Sequence, residues 1–199
     1  MDVAIVKYNA GNIYSVANAF RRLGANVTLT DDIEQIKRAD RVVLPGQGEA
    51  STAMSNLRSR NLHTLIPSLT QPVLGICIGQ QLMCRHSEEG NVDCLGIFDV
   101  SVKRFVAESP ADKIPVMGWI NISDTRGPLF QGLPEKRYVY FIHSYYVPLC
   151  PWTEAVADNI QSYSAAIRKD NFFATQFHPE KSGKVGERIL DNFLNLRMK

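Results

Sequence analysis

Residues 73–81 read Val-Leu-Gly-Ile-Cys-Ile-Gly-Gln-Gln, an apolar run that ends in a cysteine set between two glycines. Gly75 and Gly79 stand two positions to either side of Cys77, the spacing of a nucleophile elbow. In that geometry a buried strand turns sharply into a helix and pushes the apex residue out of the sheet. Both flanking positions must be small, because the strand and helix backbones approach closely there. The apex also lies at a helix N-terminus, where the dipole and free N–H groups favour an anionic sulfur. The backbone N–H of Ile78 then faces any oxyanion formed on a carbonyl that the sulfur attacks. The pattern points to cysteine-dependent acyl transfer.

A chain of 199 residues suits one domain with a substantial core, so residues 1–199 are read as a single unit. Apolar content of 45% and charged content of 21% are ordinary for a globular protein. A net charge of +2 gives no argument for nucleic acid or an anionic membrane. No apolar stretch approaches the length of a membrane span. The chain opens on Val3-Ala4-Ile5-Val6 with no basic leader and apolar signal core ahead of it. Cys77, Cys84, Cys94 and Cys150 show no C-x-x-C spacing, so neither a zinc site nor a disulfide framework is expected. A reducing, cytoplasmic setting follows as the default.

The first half alternates strand and helix signals. Residues 3–7 form a short apolar strand, and Ile13, Val16, Ala17, Phe20 and Leu23 follow at helical spacing, with Gly24 as the stop. Strands are expected at 27–30, 41–45 and 73–77, helices at 33–39 and about 50–69, and a further helix after the elbow. This order predicts an α/β fold: an open, mostly parallel sheet with helices on both faces. In the second half, strands at 97–106, 114–123, 137–148, 154–158, 163–169 and 172–178 come too close together for crossover helices. They are expected as antiparallel additions to the sheet or its edge. Residues 182–196 close the chain as an amphipathic helix with Val185, Ile189, Phe193 and Leu196 on one stripe.

A cysteine nucleophile needs a base, and the histidines are His63, His86, His143 and His178. His63 reads as a solvated surface residue. His86 reads as a cap near the end of the post-elbow helix, on which Cys84 also packs. His178 ends a strand and is followed by Pro179 and Glu180. Proline disfavours the helical region for the residue before it, so His178 and Glu180 are expected in extended chain, projecting to the same face. Glu180 would then bind one imidazole nitrogen while the other faces the nucleophile. The bland reading is a strand-end histidine beside a solvated glutamate. Pro45-Gly46-Gln47-Gly48 follows a parallel strand at its carboxyl end, where ligands collect in open α/β sheets, and could supply oxyanion donors. An ordinary strand-to-helix turn explains it as well. The missing G-x-x-x-x-G-K-[ST] pattern argues against a phosphate loop. Trp119, Tyr138 and Tyr140 suit either an interface or the sheet core.

Taken together and in this order, the Gly-rich strand end, the G-x-C-x-G-x-Q elbow and the C-terminal His-Pro-Glu resemble class I, triad-type glutamine amidotransferases. Further motifs are similar to those of the glutaminase subunits of imidazole glycerol phosphate synthases. These are Asn9-Ala10-Gly11-Asn12-Ile13, Met117-Gly118-Trp119, Tyr140-Phe141-Ile142-His143-Ser144-Tyr145 and Gln176-Phe177-His178-Pro179-Glu180-Lys181-Ser182. The resemblance implies a Cys77–His178–Glu180 triad and a flavodoxin-like sheet, with no cofactor and no metal. It implies Gln81 and the His143-Ser144-Tyr145 backbone as substrate contacts, and Gly46, Gln47, Gly48 and Ile78 around the oxyanion. It implies a heterodimer with a (β/α)₈-barrel cyclase docked at Asn12, Trp119, Tyr138 and Lys181, and no nucleic acid or membrane partner. Gln47, Ile78, Gln80 and Ile120 depart from the usual pattern without removing a catalytic side chain. Two alternatives stay open: a glutaminase subunit of another synthase, making an aminated sugar or anthranilate, and a catalytically inert interaction subunit of the same shape.

Overall fold

The computed structural model describes residues 1–8, 13–46 and 48–197. The first half runs β1 (Asp2–Val6), α1 (Ile13–Arg22), β2 (Asn26–Thr30), α2 (Ile33–Arg38), β3 (Arg41–Leu44), α3 (Ala50–Ser59), α4 (Leu62–Leu65), β4 (Val73–Ile76) and α5 (Ile78–Met83). The second half adds β5 (Cys84–Ser87), β6 (Val92–Asp93), β7 (Phe98–Arg104), β8 (Val116–Ser123), β9 (Tyr138–His143), β10 (Tyr145–Tyr146), β11 (Thr153–Asp158), β12 (Ser162–Lys169), β13 (Phe172–Thr175) and α6 (Gly183–Leu194). Nine strands form one sheet in the order β2-β1-β3-β4-β13-β12-β11-β8-β9, and four form a second in the order β10-β7-β5-β6. Pairing is parallel from β2 to β13 and antiparallel from there to β9.

Strand alternation sorts the core into two layers. Val3 and Ile5 join α1, α6 and the aromatic side chains Phe141, Tyr163 and Phe177 on one face. Ala4 and Val6 join α2–α5 and Phe98 of the second sheet on the other. β4 is central, paired with β3 through Leu44↔Gly75 and with β13 through Thr175↔Ile76. Three neighbouring strands therefore release their carboxyl ends side by side. β3 leads into Pro45-Gly46, β4 into Cys77, and β13 into Gln176–His178.

Several local expectations need correction. The long helix over 50–69 divides into α3, α4 and a short 3₁₀ turn at Ile66–Ser68. The post-elbow helix ends at Met83, so Cys84 and His86 lie on β5, although Cys84 is fully buried as expected. Tertiary partners end that helix: Leu95 N–H donates to the Leu82 carbonyl and Gly96 N–H to the Cys84 carbonyl, at 2.9 Å each. The strand expected at 137–148 breaks at Ser144, where the chain passes from one sheet to the other. The strand expected at 172–178 stops at Thr175.

Candidate active site

Cys77 occupies the apex with φ 53° and ψ −109°, a left-handed conformation rare for any residue with a side chain. The small flanking residues are required by contact. A Cβ on Gly79 would stand 2.1 Å from the Leu44 carbonyl oxygen, and one on Gly75 would stand 2.7 Å from the Gly79 carbonyl group. β3 therefore packs on the elbow as closely as β4 does. A Cβ on Gly46 would lie 2.6 Å from both the Ile78 and Gly79 nitrogens. The main chain of Gly46 thus runs against the first, unpaired N–H groups of α5, the donors that suit an oxyanion.

Thr175 accepts a 2.7 Å bond from the Cys77 N–H, and this register brings the chain after β13 past the sulfur. The His178 imidazole lies against Cys77, close enough for the two side chains to interact. Its Nδ1–H donates to Glu180 Oε1 at 2.8 Å, which leaves Nε2 for the sulfur. The imidazole side chain is 2% exposed and the carboxylate 1%. Burial alone would lower the imidazole pKa, but hydrogen bonds to Cys77 and Glu180 and their negative charges outweigh it and raise it to about 10. The local chain differs from expectation: Pro179–Lys181 is a 3₁₀ turn, not extended. Proline begins the turn, and Lys181 N–H closes it on the His178 carbonyl at 3.0 Å. Glu180 curls back to its histidine.

Gln81 is buried, with Nε2 donating to the Tyr145 carbonyl and to Gln176 Oε1, both at 3.1 Å. Its Oε1 is buried with no partner among the described residues. His143 is buried, and Ser144 and Tyr145 form the bend after β9 beside it. Gly48 is exposed with φ +114°. Gln47 and Asn12 lie outside the described residues. Trp119 and Tyr138 are not core residues: they are 54% and 51% exposed, on one face of the β8–β9 pair. Lys181 is half-buried in the turn packed against β9. His86 pairs with exposed Asp93 at 3.0 Å, on β5 and β6 of the second sheet. An open cavity of about 950 Å³ lies at the opposite, amino end of β13. Two of the asparagines lining it, Asn171 and Asn192, are spent on main-chain carbonyls.

A family model described as glutamine amidotransferase class-I matches residues 4–196. An imidazole glycerol phosphate synthase subunit HisH from Bacteroides thetaiotaomicron is 59% identical, over 98% of this chain and all of that protein. One from Shewanella loihica is 45% identical, over 98% of this chain and 91% of that protein. The chain belongs to the class-I glutamine amidotransferases, among the HisH subunits. A solved glutamine amidotransferase shares the fold, with a TM-score of 0.73 at 18% identity, covering 96% of each chain.

In this amidotransferase the placement of Cys77 and its neighbours rests on residues that the motif reading did not single out. Tyr8, buried at the end of β1, donates its hydroxyl to the Pro45 carbonyl and anchors the chain that enters Gly46. Gln176, quoted only as part of a motif, reaches Cys77. Met117 and Ile142 extend the exposed face beside Trp119 and Tyr138. Strand alternation around Trp119 would have found Met117. No local signal marks Tyr8 or Gln176. No helix among the described residues is long and apolar enough to cross a membrane.

Proposed function

We propose that the chain acts as one amidotransferase unit, the glutaminase of a heterodimeric imidazole glycerol phosphate synthase. The observation that carries this reading is the buried His178–Glu180 pair, joined at 2.8 Å and set against Cys77 at the elbow. The Cys77 thiolate adds to the side-chain amide carbon of glutamine, and the oxyanion takes up N–H donors at Ile78 and along Gly46–Gly48. The carbon–nitrogen bond breaks as His178 gives its proton to the departing ammonia, leaving a γ-glutamyl thioester. Water then attacks that thioester, His178 takes the water's proton, and glutamate leaves with the sulfur anion restored. Glu180 holds the imidazolium, and Gln81 with the His143–Tyr145 main chain holds substrate.

Ammonia passes to a (β/α)₈-barrel cyclase, which makes imidazole glycerol phosphate and the purine-pathway ribonucleotide AICAR in histidine biosynthesis. The exposed apolar face of β8–β9, with Trp119 and Tyr138, supports docking there, with Lys181 at its margin. A free thiol nucleophile suits a cytoplasmic setting. Rearrangement of the Gly46–Gly48 segment on docking gates the reaction, and a misplaced oxyanion donor costs on the order of 10²–10³ in rate. Glutamine hydrolysis measured with and without the cyclase and its nucleotide ligand tests the reading. A rate stimulated by at least that order, and abolished by Cys77→Ala, is expected. Equal rates would remove the gating, and turnover surviving Cys77→Ala would remove the mechanism.

A further inference from the structure

Gln176 is fully buried between two residues of the site, with Oε1 3.1 Å from Gln81 Nε2 and Nε2 3.8 Å from Cys77 Sγ. The two ends of an amide have nearly the same shape, so the neighbours must decide which end faces the sulfur. They do so from a single carbonyl. The main-chain oxygen of Tyr145 can only accept, and it meets both Gln81 Nε2 at 3.1 Å and His143 Nδ1 at 2.7 Å. His143 therefore carries its proton on Nδ1, and its Nε2 accepts from the Tyr163 hydroxyl at 3.3 Å. Burial, with the nearby charge of His178 acting the same way, outweighs the Tyr145 bond and lowers the His143 pKa to about 4, so the ring is neutral. Turning the Gln81 amide over would set oxygen against oxygen at Tyr145. Its nitrogen must face Gln176, the Gln176 oxygen must face back, and the Gln176 N–H is left aimed at the sulfur.

We propose that Gln176 donates its side-chain N–H to the Cys77 sulfur anion, with the direction of that bond dictated through Gln81 by the Tyr145 carbonyl. The contact discriminates between the two forms of the nucleophile. A thiol has an acceptor in the Ile142 carbonyl, 3.9 Å from Sγ. An anion gains from the N–H groups of Gln176 and His178. The same relay leaves the buried Oε1 of Gln81 as an acceptor with no partner among the described residues, open to an N–H of the substrate. The assignment rests on Cys77 being the nucleophile, so its test uses a reaction that needs neither glutamine nor the cyclase.

Gln176→Met keeps the length of the side chain and a weak acceptor toward Gln81 but offers no N–H to the sulfur. Iodoacetamide alkylation of Cys77 at neutral pH is expected to slow about tenfold, the scale of one hydrogen bond to a charged group. The pH profile of alkylation is expected to move to the alkaline side, which a loss of packing alone would not do. Glutaminase kcat should fall with it, while KM for glutamine changes less than kcat. An alkylation rate and profile unchanged from wild type would overturn the proposal. Wild-type Cys77 that alkylates selectively in a chain unable to hydrolyse glutamine even with the cyclase and its nucleotide ligand present would sink the functional reading and leave this bond standing. If the variant does not fold, ¹⁵N resonances of the Gln176 side-chain amide in the wild-type chain decide the matter. They should shift as Cys77 ionises and stay still in Cys77→Ala, and identical traces in the two would overturn the proposal.

Discussion

His178 is governed by opposed effects of similar kind. Desolvation disfavours the imidazolium, and two hydrogen-bonded anions favour it more, so its pKa lies near 10 against an ordinary 6.5. A raised histidine pKa contributes stability in full below about 6.5, and that contribution is lost as pH climbs through about 10. Glu180→Gln removes one of the two anions while keeping the shape of the turn. The titration of His178, followed by NMR, should then fall well below 10, and glutaminase kcat should drop about 10²-fold, the scale of a positioned proton-transfer group. In urea, the stability gap between wild type and Glu180→Gln should be present at pH 6 and close by about pH 10. An unmoved titration would show that Cys77 alone supports the ring. The three proposed triad members stand out in the sequence because each sits in a short pattern with a local mechanism: glycines at ±2, and proline between histidine and glutamate. Gln176 was not, since its role arises from a residue 99 positions away, at Cys77.

At the level of elements, α6 fixes the turn that carries Glu180, and Arg41 at the start of β3 fixes α6. The guanidinium group is largely buried and donates from Nε to the Phe193 carbonyl at 3.2 Å, and from Nη2 to those of Leu194 at 2.9 Å and Leu196 at 2.6 Å. These are carbonyls of the kind a helix leaves unpaired at its C-terminus, where the dipole also favours a cation. Arg41→Ala should destabilise the fold by roughly 2–4 kcal/mol, the sum of several charged bonds with a partly rehydrated end, measured by urea unfolding. A midpoint within error of wild type would show that water replaces the cap without loss. The amphipathic stripe of α6 was readable, as was α1 ending before Gly24. The end of α5 was not: the residues after Met83 continue a helical pattern, and main-chain partners from Leu95 and Gly96 draw them into β5.

For the molecule as a whole, β9 is the edge strand of the large sheet, and it serves two sides. Its exposed face pairs Ile142 with Met117, Tyr140 with Trp119 and Tyr138 with Asn121, and Trp119 and Tyr140 stack edge to face at 6.0 Å. Its backbone accepts the His178 N–H at the Tyr140 carbonyl, 2.9 Å away, so one strand bears the exposed apolar face and braces the main chain of His178. Trp119→Ala should weaken the complex with the cyclase about 30-fold or more, as expected for a central aromatic anchor, read by calorimetric titration. An unchanged affinity would locate docking on another surface. The residue order alone settles the parallel half-sheet and the elbow, and it nominates Cys77, His178 and Glu180, because periodicity and turn chemistry act over a few residues. Tertiary structure alone decides which strands lie beside β4, that Glu180 reaches His178 through a 3₁₀ turn, and which end of the Gln176 amide meets the sulfur. Those outcomes depend on hydrogen-bond partners far apart in the chain, and no local pattern encodes a partner that only folding brings near.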